Sequence, residues 1–166
     1  MYLMNTRPYM YYAFNQLGQA MVRPIKLFWR VGKHVPRYHR GITSFGIWYR
    51  WTEGVKLCDF TDAEWEGIPS KRKSTSSGIF SVGSTIVYWY SRKQISMALS
   101  SAEEKYVAAS QVACEAILMR KIRGGLFGQM VDPTVIYCDN HSCIKLSENI
   151  VFHDRSIRID IWYHHL

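Results

Sequence analysis

Apolar residues recur along this chain in two rhythms, one near 3.6 residues and one near 2, and the change between them divides it. Tyr9, Met10, Tyr11, Ala13, Phe14, Leu17 and Met21 follow Pro8 at helical spacing, and proline suits a first turn. Leu27, Phe28, Val31 and Val35 continue that rhythm after Pro24, with Arg23, Lys26, Arg30, Lys33, Arg37 and Arg40 around them. Pro36 is expected to kink or stop this helix, because it removes a backbone donor and crowds the preceding turn. From residue 43 the rhythm shortens. Residues 43–51 look strand-like, and Glu53-Gly54 turns the chain into a second strand, Leu57–Asp62. Its alternation places Cys58, Phe60 and Asp62 on one face, so Asp62 leaves the apolar side where the strand stops.

The polar run at residues 69–77 reads as a loop. Gly78–Val82 and Thr85–Tyr90 then form a hairpin about Gly83-Ser84. A long helix starts at a capping box, Ser101-Ala102-Glu103-Glu104. At about 100° per residue, Lys105, Ala109, Val112, Ala116 and Met119 share one stripe, with Glu104 a quarter turn away and Glu103 nearly opposite. A further strand, Val135 to Cys138, ends at Asp139, and a short helix follows over about 141–147. Two strands closed by aspartates and joined through a helix predict an α/β sheet with its carboxylates at one edge, where open α/β sheets place their sites.

Composition narrows the function. At 166 residues and 48% hydrophobic, the chain can bury one domain, or one domain plus a fragment. Its 21 basic and 13 acidic residues leave a net charge of +8, which favours an acidic partner, most often nucleic acid. The basic side of residues 23–40 is either a solvated face or a phosphate contact. Cys58, Cys114, Cys138 and Cys143 lack the spacing of a zinc site and are expected to be buried, reduced thiols of a cytoplasmic or nuclear protein. With no apolar run of about 18 residues, no membrane span is expected. Trp65, Trp89, Tyr88 and Tyr90 could stack on bases, but strand aromatics usually serve cross-strand packing. His141 could shuttle a proton beside Asp139 or simply face solvent.

These residues resemble a family. Tyr2-Leu3 with Asn5-Thr6-Arg7-Pro8, Ala13 to Gln19, Arg37-Tyr38, Arg40-Gly41, Thr61-Asp62-Ala63-Glu64-Trp65 and Arg72-Lys73-Ser74-Thr75-Ser76 are similar to segments of copia-type LTR-retrotransposon Pol polyproteins. Ser91-Arg92-Lys93-Gln94, Ala98 to Glu103, Cys138-Asp139-Asn140 and Asn149 to His153 continue the likeness in order. It implies a remnant of the reverse transcriptase's C-terminal (thumb or connection) region over residues 1–50. Residues 51–166 then resemble a ribonuclease H-like domain, a mixed sheet with packed helices, cut short at its C-terminus. The Y-x-D-D turn of the polymerase palm is absent, which excludes polymerase activity.

The activity implied is hydrolysis of the RNA strand of an RNA–DNA hybrid, with four carboxylates holding two Mg2+ (or Mn2+) ions. By resemblance Asp62 and Asp139 are two of these ligands. The family's helix pattern is S-x-A-E-A-E-Y, and Lys105 stands at its second Glu. The fourth acid lies in a Q-x-A-D segment beyond Leu166, and Asp160 matches an earlier stretch that is not a ligand. Tyr9, Pro36, Glu64, Ile157 and Arg158 depart from the family too, as relaxed selection would produce. Three functions follow: an active hybrid nuclease, a catalytically dead remnant that binds nucleic acid through Lys71, Arg72, Lys73, Arg92 and Lys93, and a relic with neither property.

Overall fold

A computed structural model describes residues 2–22, 24–50, 56–64, 73–98, 100–128 and 132–148. The chain divides into two compact units, Met1–Tyr49 and Arg50–Leu166. The first is helical: α1 (Tyr2–Thr6), α2 (Pro8–Ala20) and α3 (Lys26–Gly41). Pro8 opens α2 as the sequence predicts, because its missing N–H is one the first turn leaves unpaired anyway. Met10, Ala20 and Ile42 are buried, and Tyr38 of α3 meets Tyr9 of α2 edge to face. Pro36 does not stop α3, which runs five residues beyond it. The lost backbone bond and the ring crowding, about 3 kcal/mol in a helix interior, are tolerated where Pro36 faces solvent and half-buried Val35 and His39 hold the helix on either side.

Among the described residues the second unit is a four-stranded mixed sheet with two helices. Its strands β1 (Leu57–Glu64), β2 (Thr75–Val82), β3 (Thr85–Lys93) and β4 (Val135–Tyr137) lie in the order β3-β2-β1-β4. The first three form an antiparallel meander, and β4 joins parallel to β1. Gly83 takes φ of 64° in the two-residue turn, the conformation a tight hairpin demands. A parallel neighbour for β1 requires a crossover, supplied by the 27-residue α4 (Ser101–Phe127). The short α5 (His141–Glu148) follows β4.

The apolar stripe on α4 packs as its period predicts. Val112 and Ala116 join Phe80 and Tyr90 in one cluster, flanked by Tyr88, Met119 and Ile136. Tyr106, Val107 and Ala109 join Cys143 in a second, with Cys138 and Leu146 against it. Tyr88 and Tyr90 therefore serve core packing, with ring centroids 5.2 and 6.2 Å from Phe80. Gly78 lies beneath this cluster. A Cβ there would stand 2.7 Å from the Tyr90 ring and 3.0 Å from Val112 Cγ2. Gly78→Ala is expected to cost about 1–3 kcal/mol by overpacking; an unmoved urea midpoint would contradict that close approach.

Several expectations need correction. Residues 45–50 form no strand, and of that stretch residue 51 lies outside the described residues. β1 continues two residues past Asp62, and β2 begins at Thr75 rather than Gly78, because Glu64 to Thr61 pair with Thr75 to Gly78 and satisfy the backbone of a segment whose composition reads as loop. β3 likewise runs to Lys93. The N-cap is Ser100, whose Oγ accepts from Glu103 N–H at 3.2 Å, so the box sits one residue earlier. The largest correction concerns β1. Leu57, Asp59, Thr61 and Ala63 form its buried face, while Phe60 stays 47% exposed and stacks on Tyr137 at 5.0 Å. The cross-strand register puts Asp59 and Thr61 in line with Phe80 and Gly78, beneath α4.

Candidate functional site

β1 and β4 are parallel, so their C-terminal ends open on the same edge of the sheet. Asp62 stands near the end of β1, and Asp139 follows β4 in the short link to α5. Asn140 caps α5, its Oδ1 accepting from Cys143 N–H at 2.9 Å, and thereby fixes the link that carries Asp139. Lys105 comes from the second turn of α4. Three of the residues singled out by sequence thus meet: Lys105 Nζ donates to Asp62 Oδ1 and to both Asp139 oxygens, Oδ1 at 3.0 Å and Oδ2 at 3.2 Å.

The lysine side chain is only 13% exposed, whereas both carboxylates are mostly open to solvent. Burial alone would pull its pKa down. The hydrogen bonds and charges of Asp62 and Asp139 outweigh that and hold it above lysine's ordinary value. The ammonium therefore stays charged, bridging two strand ends that would otherwise present like charges to each other.

A buried amide positions this lysine. Gln94, just past β3, donates from Nε2 to Ser76 Oγ at 2.8 Å and to the backbone carbonyl of Glu104 at 3.0 Å. Its own N–H donates to Ser74 C=O at 2.8 Å. The start of α4 is thereby tied to β2 at the residue preceding Lys105. Glu104 is fully buried and Glu103 partly so, and neither joins the carboxylate pair. A glutamine following a basic strand end carries no pattern signal of this role, because the bond depends on a helix whose start lies seven residues further on.

Pairing register brings other expected residues to the same end of the sheet. Glu64 pairs with Thr75, and Thr75 with Lys93, so Lys73, Arg92 and Lys93 lie at the edge where β1 ends. Arg92 is engaged there: it hydrogen-bonds Glu115 at 3.4 Å and Tyr88 Oη at 3.0 Å, and lies over the Tyr90 ring. Lys71, Arg72, Trp65, Asp160, His164 and His165 lie outside the described residues. His141 is exposed at the start of α5. All four cysteines are free thiols; Cys143 is buried, Cys58 and Cys138 half-buried, and Cys114, contrary to expectation, exposed, in the groove between α4 and β3. Among the described residues no helix is long and apolar enough to cross a membrane.

The cluster does not fit a divalent cation. Mg2+ needs a near-octahedral oxygen set, and among the described residues no group of three or more His, Cys, Asp or Glu could hold a metal. Two carboxylates are present, and the position between them is filled by an ammonium, which donates hydrogen bonds and cannot ligate a metal.

Asp59 is a second acid that the sequence pattern leaves unmarked. It is 0% exposed, and neither carboxylate oxygen has a hydrogen-bond partner among the described residues. Burial raises its pKa from 3.8 to about 7.

No protein-family model matches the chain, and no solved structure does. It is 34% identical over 163 residues to a retrovirus-related Pol polyprotein from transposon RE2 of Arabidopsis thaliana, covering 98% of this chain and 11% of that protein. It is 33% identical over 159 residues to the corresponding polyprotein from transposon TNT 1-94 of Nicotiana tabacum, covering 96% of this chain and 12% of the relative. It is also 36% identical over 118 residues to secreted RxLR effector protein 161 of Plasmopara viticola, covering 70% of this chain and 83% of that protein. The chain spans about a ninth of the length of the polyproteins it matches. With a mixed α/β sheet and a match to the polyproteins over nearly its whole length, the chain belongs to the copia-type retrovirus-related Pol polyproteins of transposons.

Proposed function

We propose that residues 51–166 are a ribonuclease H-like domain of such a polyprotein that engages nucleic acid without cleaving it. The observation that carries this reading is the bridge from Lys105 to both Asp62 and Asp139. A ribonuclease H-like site would place divalent cations between carboxylates at this sheet edge. Here a tethered single charge occupies that place, supplying electrostatic balance without a Lewis acid to activate water. The cations at the same edge, Lys73, Arg92 and Lys93, suit a phosphate backbone, and the partner would be an RNA–DNA hybrid or a single strand of the cytoplasm or nucleus.

The test is incubation of the purified chain with a labelled RNA–DNA hybrid in Mg2+ or Mn2+. Retention of intact hybrid in a salt-sensitive complex is the expected result. RNA-strand cleavage that disappears in Asp62→Asn would overturn the reading.

A further inference from the structure

The positive charge of this chain is not spread evenly. Residues 1–49 contain seven Lys and Arg and no Asp or Glu, so the first unit carries seven of the eight net charges. Five of the seven lie on α3: Lys26, Arg30, Lys33, Arg37 and Arg40. Their spacing alternates between four and three residues, and at 100° per residue they fall within an arc of about 80°. All five are exposed, and among the described residues none forms an ion pair. The opposite side holds Phe28, Gly32, Val35 and His39, all half-buried, and Tyr38 beside them packs on Tyr9 of α2.

We propose that this stripe of α3 is a docking surface for the phosphate backbone of a polynucleotide. A helix rises about 1.5 Å per residue, so the five cations form a line about 21 Å long with steps of roughly 4.5 and 6 Å. Such a line is charge-complementary to a run of backbone phosphates and lets several be neutralised together. Trp29 stands 70% exposed at the edge of the line, with Lys33 Nζ 5.3 Å from its ring, where an unpaired base could stack. An anionic membrane surface suits the same charges less well. Interfacial helices bury their apolar side in lipid, and here that side faces α2. The partner class is that of the nucleic-acid reading above, but the stripe and the carboxylate–lysine cluster belong to different units and fail separately.

The experiment uses the full chain with Lys26, Arg30, Lys33, Arg37 and Arg40 all replaced by Gln, which keeps helix propensity. Binding to a single-stranded RNA oligonucleotide and to an RNA–DNA hybrid is followed by fluorescence anisotropy across salt. The slope of log affinity against log salt is expected to shrink by about 4, because each phosphate no longer neutralised removes roughly 0.7–0.9 from it. Swapping Lys and Arg for one another at the same five positions is expected to preserve the slope, which separates charge from folding, with helix content checked by circular dichroism. Three results would overturn the proposal: an unchanged slope, a loss confined to a Lys73→Gln, Arg92→Gln, Lys93→Gln chain, or tighter binding to phosphatidylserine vesicles than to either oligonucleotide. Binding that survives in the quintuple variant with its full slope would leave the proposed function of the second unit standing.

Discussion

Raising the pH from about 4 to 8 is expected to cost the second unit up to roughly 4 kcal/mol of folding stability through Asp59 alone. In the unfolded chain its carboxyl ionises near 3.8, and in the folded chain burial holds it protonated to about 7. Between those values the folded state binds the extra proton. The stabilisation is therefore complete below about pH 4 and is lost as the pH climbs through 7, above which the charge must sit buried without a hydrogen-bond donor. Asp59→Asn removes the ionisation while keeping the shape. At pH 8 the variant should be more stable than the parent by roughly 2–4 kcal/mol, with little difference left at pH 4. Urea denaturation of both chains at several pH values measures this. If parent and variant decline in parallel, the buried carboxylate is not responsible.

Lys105→Glu should convert a metal-indifferent cluster into a metal-responsive one. Three carboxylates would then converge at the sheet edge, and in the absence of cations their repulsion should lower the unfolding midpoint. A divalent cation bound only by the folded state stabilises by mass action, about 1.4 kcal/mol when its concentration is ten times the dissociation constant. The variant's midpoint is therefore expected to rise with Mg2+ and further with Mn2+, while the parent's stays level. The ammonium of Lys105, bonded to Asp62 and Asp139 in the parent, is what prevents that response. A parent chain whose midpoint rises equally with Mg2+ would contradict the role assigned to this lysine.

The convergence of Asp62, Lys105 and Asp139 could be anticipated because each sits on a feature with a short-range signature. A strand running out into an acid, a helix start marked by a capping serine and a stripe of period 3.6 all depend on neighbours within a few residues. The family likeness named the same positions, and the comparisons with plant transposon polyproteins support it at the level of the polyprotein. The inner face of β1 is a different matter. Leu57-Cys58-Asp59-Phe60-Thr61-Asp62 puts Cys58 and Phe60 on one side of its alternation and only Leu57 among apolar residues on the other, so the pattern favours the side that the fold turns outward. Turning Phe60 outward onto Tyr137 and Asp59 inward contradicts residue-by-residue hydrophobicity, and only the pairing with β2 and β4 beneath α4 selects it. Gln94 is likewise visible as a residue and invisible as a strut.

What the sequence determined by itself was therefore local or summed: the order of elements from β1 onward, their approximate limits, the positive charge and its crowding into the first 49 residues, and the three residues of the cluster. Propensity, capping and charge act over a turn of helix or a strand's length, and need no partner to be read. Tertiary structure decided which side of β1 is inside, how far β2 extends, that Gln94 anchors α4, and that Lys73 and Lys93 share an edge with Asp62 and Asp139. Each of these depends on strand register and on helix-to-sheet packing between residues distant in the chain, where a shift of one position reverses every side chain's surroundings.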